Sequence, residues 1–148
     1  MNHPNRQLQM AFRRPTTLLV KVSPKGFVLG AIDDEPVAEL TGRIVITRVI
    51  RKRFEDGVLV CDAPDGTLAR NGTTCRQCQH PRCRPLLRCH LADRGVVYII
   101  DLACTSAENL FAIEDQAADV GDQLEDWHLR LRIVDRGYWG EVQFVREA

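Results

Sequence analysis

Four cysteines in an arginine-rich stretch are the residues of this chain with the clearest potential chemistry. Cys75 and Cys78 form a CxxC pair, Cys61 lies upstream of them, and Cys83 follows. A CxxC pair can present two thiolates to one metal ion from a single turn, and four thiolates match tetrahedral structural zinc. The sequence therefore predicts a four-cysteine zinc loop at about residues 61–85. Its zinc would be structural, since four thiolates leave no position open for water.

Two alternatives to this ligand set remain open. Cys89, His80 or His90 lies near enough in sequence to replace one ligand, although Cys89 sits in a strand-like run where a buried thiol acts as a small hydrophobe. The six cysteines also allow disulfides, which need an oxidising compartment. Because the first ten residues lack an apolar signal core and no segment is long enough to span a membrane, we expect a cytoplasmic protein with bound zinc.

The charges are unevenly distributed along a chain that is neutral overall, with 20 basic and 20 acidic residues. Residues 43–53 contain five basic residues and no acid, whereas residues 95–128 contain eight acids and no lysine or arginine. Such a chain can present a local site for a polyanion. The acidic stretch is either a solvated surface or a docking site for a basic protein partner.

Hydrophobic periodicity predicts a mainly β fold. Residues 1–15 indicate a flexible basic arm, and residues 16–148 form one domain. Strand patterns at 42–54, 58–61, 85–91 and 96–103 precede a helix that starts with a capping box of Thr105 and Glu108. Strands at 127–135 and 141–145 complete the chain.

This order matches an OB-fold, although other small β-barrels and α+β sandwiches share it. The predicted architecture is a five-stranded OB-fold-like barrel with one helix between strands 3 and 4 and an inserted four-cysteine zinc loop. In this fold residues 58–61 begin the second strand, the cysteine loop interrupts it, and residues 85–91 resume it.

An OB-fold binds single-stranded nucleic acid through stacking aromatic residues and cations that pair with phosphates. In a regular strand, Arg51 and Arg53 share a face with Arg43, whereas Arg48 and Lys52 share the other. Trp127 is expected in the core. The predicted nucleic-acid-binding residues are Arg43, Arg48, Arg51, Lys52, Arg53, Phe54, Arg76, Arg82, Arg84, Arg130, Arg132, Arg136, Tyr138 and Trp139.

Several short motifs resemble those of zinc-containing OB-fold-like single-stranded-DNA-binding proteins of phages and integrative elements. They are the VCDAPDG segment at residues 60–66, the CxxC pair, Cys83 just before a strand, and the ACTS segment at residues 103–106. The resemblance spans about residues 41–144. It implies single-stranded DNA binding in replication or recombination. The chain departs from the family in its short Cys78–Cys83 loop and its extra cysteines at positions 89 and 104.

Two other functions remain open at this stage, a zinc-stabilised protein-interaction adaptor and an RNA-binding module. An enzyme is not expected. The sequence contains no Ser-His-Asp arrangement, P-loop or His-x-Glu zinc motif.

Overall fold

A computed structural model describes residues 16–30, 35–63, 69–70, 72 and 83–147. These residues are mainly β. The elements in chain order are β1 (Thr16–Ser23), β2 (Gly26–Leu29), β3 (Glu39–Glu55), β4 (Val58–Ala63), β5 (Arg84–Asp93), β6 (Val96–Leu102), α1 (Cys104–Asp119), a 3₁₀ turn (Leu124–Asp126), β7 (Leu129–Asp135) and β8 (Gly140–Arg146).

The strands form an open sheet in the order β2-β1-β6-β5-β3-β7-β8, with β4 paired to β3 outside this path. β1 runs parallel to β6, and the other pairs are antiparallel. The long β3 pairs with β7 through residues 39–42 and with β5 from residue 43 onward. A Cβ at Gly42 would stand 2.5 Å from the Ala92 carbonyl oxygen, so only glycine permits the close approach of β5 at this change of partner.

The prediction of a five-stranded closed barrel is wrong, for two reasons. β1 and β2 form a hairpin that joins the sheet beside β6, which adds two strands. In addition, β4 and β5 are not two halves of one strand, because Lys52 of β3 pairs with Asp62 of β4 and with Arg84 of β5. The helix consequently follows the sixth strand and not the third.

The main core lies between the sheet and α1. Leu110, Ile113 and Ala117 lie on the buried side of α1 at the spacing of an amphipathic helix. Trp127 is buried, as predicted, and its Nε1 donates a hydrogen bond of 2.8 Å to Asp122 Oδ2.

The start of α1 differs from the prediction. The helix begins at Cys104, with Ala103 as N-cap and no capping hydrogen bond from a side chain, so the capping box of Thr105 and Glu108 is not formed. The buried Ser106 hydroxyl instead accepts a hydrogen bond of 2.9 Å from the Val142 backbone N–H. This bond connects α1 to β8, which ends the sheet. In the ranges described, no helix is long and apolar enough to cross a membrane.

Candidate nucleic-acid interface

A β-bulge in β3 decides which basic residues share a face. Arg43 pairs with Ala92 and Arg48 with Arg88, and the register shifts between residues 44 and 46. Since Ala92 and Arg88 are an even number of residues apart on a regular strand, Arg43 and Arg48 lie on the same side of the sheet. The predicted grouping of Arg43 with Arg51 and Arg53 is therefore wrong. Arg51 and Arg53 lie on the opposite side, because the extra residue changes the alternation.

The side of the sheet opposite the main core collects many cations, and we call this side of β1, β6, β5, β3 and β4 the basic face. Its acidic residues, as far as the structure describes it, are Glu39, Asp62 and Asp101. Asp62 already accepts a hydrogen bond of 2.9 Å from Arg70 Nε. By register and strand alternation, its cations are Lys21, Arg43, Arg48, Lys52, Arg84 and Arg88.

A row of apolar side chains and one imidazole crosses the middle of the basic face. Leu19 of β1 pairs with Ile99 of β6, Ile99 pairs with His90 of β5, and His90 pairs with Ile46 of β3. Leu19 and Ile46 are exposed although they are large and apolar. On a pleated sheet the next rows on the same face lie about 7 Å away on either side. Arg43 lies in one of these rows, and Arg48 and Arg88 lie in the other.

His90 is the polar member of this row. Burial, together with the neighbouring charges of Arg48 and Arg88, lowers the pKa of its imidazole. His90 is consequently neutral at pH 7. Its Nε2 atom is buried and has no hydrogen-bond partner among the described residues. The residue as a whole is only partly buried, so the exposed part of its neutral ring, and not the buried Nε2, is suited to contact a nucleobase.

Asp101 links three strands beside this row. Its carboxylate accepts hydrogen bonds of 2.8 and 3.0 Å from Arg88 Nε and Nη2 and one of 2.6 Å from Lys52 Nζ. Although burial raises the pKa of Asp101, the hydrogen bonds from Arg88 and Lys52 outweigh it and lower that pKa. Asp101 is therefore ionised at neutral pH, and it holds two cations in fixed positions on the basic face.

Two turns carry exposed aromatic residues. The β3–β4 hairpin extends beyond the first residue of β5 and carries the exposed Phe54, two residues after Lys52 and on the same side of β3. The β7–β8 turn carries Tyr138, which is fully exposed, and Trp139, which is about half exposed. This turn lies near the end of β1, because a Cβ at Gly140 would be 2.5 Å from the Ser23 carbonyl oxygen. Phe54 therefore borders the basic face directly, whereas the β7–β8 turn approaches the end of β1. Along β3 the two turns lie at opposite ends, because β7 runs antiparallel to β3 and pairs with its first residues.

Of the remaining predicted arginines, two are in ion pairs with carboxylates and a third lies on β7. Arg130 contacts Glu147 at 2.8 Å and Glu39 at 3.6 Å, and Arg136 contacts Glu141 at 3.3 Å. Arg132 is exposed on β7, where it pairs with Glu39. The predicted residues Arg76 and Arg82 lie outside the described residues.

Two of the four predicted metal ligands can be placed. Cys61 lies in β4, and Cys83 directly precedes β5; both are half-buried. Because β4 and β5 pair with opposite edges of β3, these cysteines lie two strand spacings apart, which is about 10 Å. Cys75 and Cys78, which fall in the segment between them, lie outside the described residues. The described part of the chain alone contains no group of three or more possible metal ligands.

Two of the alternative ligands, Cys89 and His90, lie in positions less suited to a metal site in this loop than those of Cys61 and Cys83. Cys89 is fully buried in the main core, and this burial raises the pKa of its thiol to about 12. Its surroundings are those of a residue that packs in the core. His90 is seven residues beyond Cys83, about 23 Å along a strand, so the two do not bind one ion. His80 is outside the described residues.

A groove of about 530 Å³ lies on the other side of β3, next to the end of α1. Its lining includes Val45 and Thr47 of β3 and the carboxylates of Glu114, Asp122 and Glu125. The acidic half of the chain thus lines a groove whose lining also includes Ile46 of the apolar row on the basic face.

Comparison with protein-family models, with curated proteins and with solved structures gives no match to this chain.

Proposed function

We propose that this protein is a non-enzymatic, single-stranded-DNA-binding protein, and that the basic face is its binding surface. The observation that carries this proposal is the apolar row of Leu19, Ile99, His90 and Ile46 between two rows that contain arginine. Unpaired bases have exposed apolar faces, and the phosphates that join them are anionic. A surface with an apolar centre and cationic borders is complementary to both parts of a single strand.

The two kinds of row have separate roles in this proposal. Arg43 and Arg48 contact phosphates, and their planar guanidinium groups donate two hydrogen bonds to one phosphate. The bases lie across the row that contains His90. Duplex DNA binds less well, because its bases are already stacked and paired within the helix.

The order of a subset of the elements favours an OB-fold-like arrangement. When the β1–β2 hairpin and β4 are set aside, the remaining order is β3, β5, β6, α1, β7, β8. In this subset the helix lies between the third and fourth of five strands, as in the OB-fold. Together with the resemblance of the cysteine motifs, this order supports a role in replication or recombination of a phage or mobile element.

Fluorescence anisotropy with labelled oligo-dT, oligo-U and duplex DNA over a series of salt concentrations tests the proposed function. We expect the tightest binding to oligo-dT and a steep loss of affinity with salt, because bound phosphates release counterions. A His90→Ala variant should weaken oligo-dT binding by about 5- to 150-fold, since a base contact contributes about 1–3 kcal/mol. Equal affinity for duplex and single strands, or no binding at low salt, would contradict the proposal; a preference for oligo-U would indicate RNA.

We also propose that one structural zinc ion closes the segment between β4 and β5. Cys61 and Cys83 are attached to strands at the two ends of this segment, and Cys75 and Cys78 lie within it. Four thiolates would bind zinc in a closed tetrahedral site, which cross-links the segment without catalysing a reaction. Cys61 and Cys83 are only half-buried, whereas Cys89 is fully buried in the main core, which favours this ligand set over one that includes Cys89.

Native mass spectrometry of the full chain tests for zinc. We expect one bound zinc ion in the wild-type protein and none in a Cys75→Ser/Cys78→Ser variant. Cys104→Ser is the matched control, because Cys104 is exposed at the start of α1 and should not affect the metal. A wild-type mass without zinc, or a mass that has lost the hydrogens of paired thiols, would contradict the zinc proposal and favour disulfides.

The acidic groove supports a second candidate function, that of an adaptor for a basic protein segment. Glu114, Asp122 and Glu125 provide the charge, and Val45 provides apolar contact. The groove and the basic face adjoin at Ile46, which belongs to both.

A further inference from the structure

The β3–β4 hairpin presents an apolar edge strand. Val58, Leu59 and Val60 of β4 are all exposed, as is Phe54 of β3. In the ranges that the structure describes, β4 pairs with β3 and with no other strand. An exposed strand edge has unpaired N–H and C=O groups, and hydrophobic residues on it favour pairing with another chain. The register of β4 against β3 shifts at this point, so Val60 has no partner residue on β3.

The charges on the hairpin are opposite at its two ends. The turn at the tip contains Glu55 and Asp56. At the base, the Arg70 backbone N–H donates to the Asp62 carbonyl oxygen at 3.0 Å, so residue 70 covers the β4 edge at that point. The Arg70 side chain is 72% exposed. Among the described residues, the part of the edge without a backbone partner therefore runs from Val58 to Cys61. It lies between an acidic tip and the exposed Arg70, whose Nε is hydrogen-bonded to Asp62 at 2.9 Å.

We propose that this edge pairs in antiparallel fashion with the same edge of a second copy of the chain. In a two-fold arrangement centred on Leu59, which then pairs with Leu59 of the second copy, the tip of one hairpin meets the base of the other. Glu55 and Asp56 of one copy then approach Arg70 of the second copy, and the contact occurs twice. An edge that is apolar in the middle and oppositely charged at its ends is complementary to itself in this orientation alone.

The proposed pairing has a consequence for the basic face. The two-fold axis of an antiparallel strand pair is perpendicular to the sheet, so both copies present the same face on the same side. The two basic faces then form one longer surface across the dimer. This consequence depends on the proposed DNA binding, whereas the dimer itself does not.

Sedimentation velocity over a range from micromolar to submillimolar protein tests the dimer. The edge is short, so we expect a concentration-dependent equilibrium between monomer and dimer. Val58→Lys should shift the protein to monomer, because a lysine on an edge strand prevents pairing. Val120→Lys is the matched control, since Val120 at the end of α1 is 64% exposed and Val58 is 62% exposed. Circular dichroism establishes that both variants fold.

A charge exchange distinguishes a second copy from any other partner. Glu55→Arg should raise the dimer dissociation constant by about 5- to 20-fold, since it replaces an attractive contact with a repulsive one. The double variant Glu55→Arg/Arg70→Glu should restore dimerisation, because the two charges attract again with exchanged signs. A wild-type protein that stays monomeric, an equal effect of Val58→Lys and Val120→Lys, or no restoration in the double variant would overturn the proposal.

Oligo-dT anisotropy at concentrations where the protein is monomeric tests DNA binding independently of the dimer.

Discussion

Replacing Arg48 with glutamate is expected to weaken the binding of oligo-dT by about 10- to 100-fold at low salt. Arg48 is exposed beside Arg88 on the basic face. The substitution removes a charge-assisted contact to phosphate and places a carboxylate next to the nucleic acid. The slope of log affinity against log salt should also fall by about one, because one fewer phosphate is neutralised.

The matched control is Arg51→Glu. Arg51 lies three residues further along the same strand, on the opposite side of the sheet, and the substitution changes the net charge equally. Its effect should be limited to long-range repulsion, which salt screens over about 10 Å. Titration of both variants with the same labelled oligonucleotide gives the comparison. If Arg51→Glu weakens binding as much as Arg48→Glu, the basic face is not the binding surface.

Replacing Asp101 with asparagine is expected to lower the free energy of unfolding by roughly 2 kcal/mol at neutral pH. The substitution preserves the shape of the side chain but leaves Lys52 and Arg88 close together without the carboxylate between them. The effect is smaller than for a fully buried ion pair, because about a fifth of each side chain is exposed to water. Urea denaturation of the two proteins measures the difference.

The stabilisation that the Asp101 carboxylate contributes should decrease at acidic pH. The pKa of Asp101 is lower in the folded protein than in the unfolded chain, where the pKa of an aspartate is about 3.9. The stabilisation is therefore present above that value and is lost as pH falls through the folded pKa. The difference between wild type and Asp101→Asn should shrink below about pH 4. A difference that is constant from neutral to acidic pH would contradict an electrostatic origin.

The same variant should bind DNA more tightly, by about two- to fivefold at low salt. Removing Asp101 increases the net charge of the basic face and leaves Lys52 and Arg88 free to contact phosphates. A loss of stability combined with a gain of affinity is difficult to obtain from general unfolding. Anisotropy and denaturation on one protein preparation test this combination.

Local patterns predict the elements of this protein well. The period-two alternation of residues 127–135 and the apolar face of residues 105–121 correspond to β7 and α1. The partners of the strands are less predictable. The sequence shows that residues 58–61 and 85–91 are strands, but it does not show that they pair with opposite edges of β3. Strand pairing depends on contacts between distant residues, which a single sequence does not display.

The candidate site was predicted in part. Arg43, Arg48, Lys52 and Arg84 are all on the basic face, since arginine and lysine on a half-exposed strand are readily identified. Arg88 and His90 are not among the predicted residues, because alternation in residues 86–91 does not show which side is exposed. The prediction also assigns the residues after Val45 to the wrong side of the sheet relative to Arg43. No sequence signal marks the bulge at Val45, which reverses the alternation.

Because of that bulge, the presence of one extra residue at Val45 decides which charged side chains lie on each side of the sheet. A related chain that lacked one residue near Val45 would turn Arg48 and Lys52 toward the helix side and bring Arg51 and Arg53 to the exposed side of the sheet. Its amino-acid composition would be almost unchanged, yet its electrostatic pattern would be rearranged. Relatives of this protein are therefore better compared by strand register than by counts of basic residues.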